Sequence, residues 1–151
     1  MMVGVLLCIA GAIYGLLGAL HALYTFLDMR NPRRIVPDDP AVITAMQNSK
    51  IRLTRGESTM WQGWVGFNLS HSLGALMFSA ACFIVAACFR ILAFSPWAIF
   101  ALAAISALYL LMAAQYWFRI PILGTAIATA CLAAAWLLYL LQGPCIGTLR
   151  C

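Results

Sequence analysis

Two histidines and an asparagine are the chemically capable side chains that this sequence buries in apolar surroundings. His21 sits in Ala19-Leu-His-Ala-Leu23, and Asn68 and His71 sit in Gly66-Phe-Asn-Leu-Ser-His-Ser72. An imidazole can serve as a general acid or base, as a metal or haem ligand, or as a hydrogen-bonding partner. Polar groups at membrane depth are expensive, so they normally face another helix and mark either an interhelical contact or a site. Asn68 precedes His71 by three residues and shares its helix face. Tyr14, His21 and Asp28 lie seven apart and also point roughly one way, with Tyr24 near them. Gln115 approaches the same depth from a third hydrophobic segment. The candidate cluster is His21, Tyr24, Asp28, Asn68, His71 and Gln115.

The elements that must position these groups follow from composition. The 151 residues are 65% hydrophobic and 9% charged, with a mean hydropathy of +0.97. Soluble domains are nearer 45–50% apolar and about 25% charged, so this is a membrane composition. Four apolar segments, about 3–27, 61–89, 97–118 and 122–142, are each long enough to cross a hydrocarbon core of roughly 30 Å. The fold class expected is all-α, a single domain forming a four-transmembrane-helix bundle. A cleaved signal peptide is not expected, because no Lys or Arg precedes the first apolar run and the run exceeds an h-region of about 7–15 residues.

Within segment one, Gly4, Cys8, Gly11, Gly15, Gly18, Ala22 and Thr25 form a seven-residue repeat of small side chains. Gly66, Ser70 and Gly74 repeat that spacing in segment two. Such stripes let two membrane helices approach closely, so segments one and two are expected to pack tightly through them.

The loop of about 28–60 is the only substantial hydrophilic stretch. Asp39-Pro40 reads as a helix cap followed by proline at the first helical position. A short helix over 40–52 is expected on the membrane surface, with Val42, Met46 and Leu53 on one face and basic residues meeting anionic lipid. Thr54-x-x-Glu57 fits a capping box, so segment two would begin near Arg55. Ser95-Pro96 reads as the start of segment three, Arg119-Ile-Pro121 as a tight turn, and Gly143-Pro144 as the stop of segment four.

The net charge of +5 does not point to nucleic acid, because six of the nine Lys/Arg lie in one loop: Arg30, Arg33, Arg34, Lys50, Arg52 and Arg55. With Arg119 this puts seven basic residues on one side, against Arg90 and Arg150 on the other. The positive-inside rule then places the long loop in the cytoplasm and both termini outside. Cys145 and Cys151 fall in the outer tail, where disulfides persist, and are candidates for a bridge.

Function is read from the polar cluster. The preferred reading is non-enzymatic: a structural or small-ligand-binding membrane subunit, with no resident cofactor or metal, surrounded by lipid and working as a homo-oligomer or within a larger complex. A rival is a bis-histidine haem b protein with His21 and His71 as axial ligands. A third reading is an interfacial enzyme with histidine as acid or base on a lipid-like substrate, Arg119 or Arg55 steadying an anionic head group. No P-loop, nucleophile elbow or metalloprotease helix is present.

In length and four-span layout the chain resembles the trimeric glutathione-dependent membrane enzymes of eicosanoid metabolism. Their Arg/Asn/Glu signature on the second helix is not matched by Arg55-Gly-Glu57 and Gly-Phe-Asn-Leu-Ser-His-Ser72. Through its Gly-Phe-Asn-x-Ser-His core the whole chain is similar to small uncharacterised four-span bacterial membrane proteins. That resemblance implies a multi-pass membrane protein and no particular activity.

Overall fold

A computed structural model describes residues 2–88 and 96–142. Among these the chain is all-helical: α1 (Met2–Arg30), α2 (Pro40–Asn48), α3 (Met60–Cys88), α4 (Pro96–Tyr116) and α5 (Arg119–Gln142), with a 3₁₀ turn at Arg52–Thr54. Four of the helices, α1, α3, α4 and α5, are long and apolar enough to cross a membrane. At 1.5 Å per residue the 29-residue helices α1 and α3 are each about 43 Å long, more than the roughly 30 Å of hydrocarbon requires. Cys145, Cys151, the Ser95 cap and the Gly143-Pro144 stop lie outside the described residues.

The chain divides into two compact units, with α1 and α3 each contributing to both. One unit combines residues 2–17 of α1, residues 75–88 of α3, and helices α4 and α5. Its core is Leu7, Tyr14, Phe78, Cys82, Ile99 and Leu132 with their neighbours. The approach of α1 to α3 here is closest at glycine. A Cβ on Gly15 would lie 2.9 Å from the Ser79 hydroxyl, and one on Gly11 would lie 3.2 Å from both Cys82 Cβ and the Phe83 ring. That proximity allows the Ser79 hydroxyl to donate to the Gly11 carbonyl at 2.6 Å. Tyr14, buried to 2% exposure, packs edge-on against Phe78 and Tyr109. Its hydroxyl shares a hydrogen bond with Ser106 at 2.9 Å, and Ser106 shares another with Thr129 at 2.7 Å. This polar chain ties α1, α4 and α5 together in a medium with no competing water.

The second unit is residues 18–74: the end of α1, the loop, α2 and the start of α3. Helix α2 begins as the Asp39-Pro40 pair predicts, with the Asp39 carboxylate accepting from the Ala41 N–H at 2.8 Å. It stops at Asn48, four residues short of the expected end, so Leu53 belongs to the separate 3₁₀ turn and not to the α2 face of Val42 and Met46.

The start of α3 also differs from expectation. Its capping box is Thr59-x-x-Gln62: the Gln62 N–H donates to Thr59 Oγ1 at 3.2 Å, and the Thr59 N–H donates to Gln62 Oε1 at 2.8 Å. Thr54 instead closes the preceding turn, donating to the Ile51 carbonyl and accepting from the Ser58 N–H. Arg55 and Gly56 follow with φ of 52° and 89°, which no helix can include. Helix α5 begins at Arg119, with Pro121 inside its first turn rather than before it. A proline there loses no hydrogen bond, because the first N–H groups of a helix have no intrahelical partner.

The small-residue stripe expected on segment two is also displaced. Gly66 has nothing within 4 Å of its Cβ position, and Ser70 is exposed. The buried face of α3 carries Asn68, Ser72, Ala75, Ser79 and Cys82 instead. Both stripes have helical spacing. The chosen one buries the Asn68 amide and sets the Ser79 hydroxyl on the Gly11 carbonyl.

Candidate polar site on helices α1 and α3

All the residues of the site lie in the second unit, carried by the last turns of α1 and the first turns of α3. Asn68 is its fixed point. Its amide Nδ2 donates to the Trp64 carbonyl one turn back at 2.8 Å, which turns Oδ1 toward α1. His21 Nε2 lies 2.9 Å from that oxygen. Since Oδ1 can only accept, Nε2 is the donor, and a neutral His21 ring carries its lone pair on Nδ1. The His71 ring meets His21 edge to face, with centroids 5.3 Å apart and planes at 73°. On its other side His71 lies parallel to the exposed Phe67 ring, 6.2 Å between centroids.

Hydroxyls close the surroundings by bonding back to their own helices. Thr25 donates to the His21 carbonyl at 2.9 Å, and Ser72 donates to the Asn68 carbonyl at 2.8 Å. Both are buried, while the two imidazoles are half-buried. Among the described residues no buried side-chain nitrogen or oxygen lacks a hydrogen-bond partner.

The structure thus brings together His21, Asn68 and His71. Tyr24 is exposed. Gln115 is exposed near the end of α4, a helix of the other unit. Asp28 is fully buried, and its carboxylate is taken up by the loop that follows α1. It accepts from the N–H groups of Arg33, Arg34 and Ile35 at 3.1, 3.1 and 2.8 Å, while the Arg34 guanidinium stands 3.5 Å away. This is an anion-binding nest of successive N–H groups, occupied by the chain's own carboxylate.

No family model, curated protein or solved structure matches this chain. Among the described residues no group of three or more His, Cys, Asp or Glu is placed to hold a metal ion. A haem between His21 and His71 would need both rings to aim a nitrogen at one iron from opposite faces of a flat macrocycle. Edge-to-face contact at 5.3 Å leaves no slot for that plane, and His21 Nε2 is engaged by Asn68. The residues as arranged do not fit the group.

Sequence reasoning missed Thr25 as a buried partner of His21, and the Tyr14–Ser106–Thr129 chain altogether. A signal existed for the latter in two hydroxyl residues in the middle of segments three and four.

Proposed function

We propose that this is a non-enzymatic, multi-pass membrane protein in which His21, Asn68 and His71 fasten the first two spans, with the half-buried imidazole pair forming part of a small-ligand site. The observation that carries this reading is the hydrogen bond of His21 Nε2 to an Asn68 amide already oriented by the Trp64 carbonyl. An oriented acceptor fixes both the rotation of α1 against α3 and the tautomer of His21. A structural or ligand-binding subunit needs that much, and acid–base catalysis would need a substrate-facing partner besides.

A double-mutant cycle of His21→Ala and Asn68→Ala, read by unfolding of the detergent-solubilised protein in SDS, is expected to give a coupling of about 0.6–2 kcal/mol. A coupling near zero would remove the interhelical lock. The oxidised and dithionite-reduced visible spectra are expected to show no Soret band in protein made with ample haem. A band lost in both His21→Ala and His71→Ala would replace this reading with the haem one.

The basic-residue count supports a cytoplasmic loop with both termini outside. A C-terminal alkaline phosphatase fusion is expected to be active in a bacterial host and the corresponding green fluorescent protein fusion dark. The reverse pattern would invert the topology.

A further inference from the structure

One apolar side chain stands out in the loop. Leu53 is 92% exposed, the most exposed of the large hydrophobic residues described. It occupies the middle of the 3₁₀ turn Arg52–Thr54, and that turn is held firmly. Lys50 and Thr59 form a backbone bridge at its base, with the Ile51 N–H donating to the Ser58 carbonyl and the Met60 N–H to the Ser49 carbonyl. Thr54 staples its interior through two hydrogen bonds. Ile51 folds back onto α3 so closely that a Cβ on Gly63 would come within 2.8 Å of Ile51 Cδ1.

The turn is thereby fixed to the first two turns of a membrane-length helix, where Trp61 and Trp64 stack at 5.0 Å. Tryptophans at a helix end are residues of the membrane–water interface. Around Leu53 the turn carries Lys50, Arg52 and Arg55 against the single acid Glu57, all exposed. A lone leucine on a rigid, cationic turn beside such an end suits an anionic lipid leaflet. The leucine enters the acyl boundary, while the arginine stems lie along it and their head groups reach phosphate.

We propose that the Leu53 turn is a lipid-inserting contact, with Leu53 in the acyl–headgroup boundary of an anionic leaflet and Lys50, Arg52 and Arg55 on its phosphates. The proposal rests on α3 crossing the bilayer and is independent of what the imidazole pair binds. The test is p-benzoylphenylalanine incorporated at position 53 of the full chain, reconstituted in bilayers of equal phosphatidylcholine and phosphatidylglycerol, irradiated, and analysed by mass.

Lipid adducts are expected, with phosphatidylglycerol exceeding phosphatidylcholine about five-fold, the enrichment that one basic residue near an anionic surface produces. Lys50→Gln with Arg52→Gln and Arg55→Asn, asparagine being chosen because it tolerates the left-handed backbone at 55, should bring the ratio close to one. An adduct to a second copy of the chain would make the turn a protein interface and overturn the proposal. So would the absence of lipid adducts, or lipid adducts without phosphatidylglycerol excess.

Discussion

Asp28→Ala is expected to destabilise the protein by about 2–4 kcal/mol and to release the loop from the end of α1. The carboxylate is the common acceptor for three successive backbone N–H groups, with the Arg34 N–H reaching both oxygens at 3.1 Å. Hydrogen bonds to a charged acceptor contribute about 1.5–3 kcal/mol each, and rehydration of the freed N–H groups at the edge of the membrane returns part of the sum.

The ion pair is the minor part. The Arg34 side chain is 41% exposed and its nitrogen is 3.5 Å from the carboxylate, so Arg34→Ala should cost less than about 1 kcal/mol. Asp28→Asn should fall between the two, since one of its two oxygens becomes a donor facing donors. Amide hydrogen exchange at 33–35 measures the effect locally, and SDS unfolding measures it globally. Equal losses in Asp28→Ala and Arg34→Ala would show that the side-chain pair, and not the backbone nest, holds the loop.

The second large effect is expected where α1 and α3 touch. Gly15→Leu should destabilise by about 3 kcal/mol, the upper range for overpacking a close-packed interior. Even the first added carbon meets the Ser79 hydroxyl at 2.9 Å, so Ser79 must turn away from the Gly11 carbonyl or the helices must separate. Either leaves a polar group without its partner in an apolar medium. Gly66→Leu, with open space at its Cβ position, should stay within about 0.5 kcal/mol of wild type. The two glycines were equivalent candidates by spacing, and SDS unfolding of the pair separates them. Comparable losses at both positions would mean that the Gly66 stripe is also packed, against lipid-facing partners such as a second copy of the chain.

The sequence by itself determined the four membrane-length helices, the basic loop between the first two and the Asp39-Pro40 start of α2. These rest on local properties: the length of an apolar run, the fixed φ of proline, and the cost of a polar group in hydrocarbon. Where two local solutions were equally good, the chain alone did not choose. Thr54-x-x-Glu57 and Thr59-x-x-Gln62 are both formal capping boxes, and only the left-handed backbone at Arg55 and Gly56 shows which one starts α3.

Gly66-Ser70-Gly74 and Ser72-Ala75-Ser79 are both small-residue stripes, and the rotation of α3 against α1 selects the second. Asp28 has the seven-residue spacing of His21 yet turns to the loop, because three N–H groups converge on it only after Asn31-Pro32 reverses the chain. Tyr14, Ser106 and Thr129 lie on three helices and become one hydrogen-bonded chain only when those helices pack. Helix rotation and long-range partners are set by the whole set of contacts at once, and no window along the chain contains them.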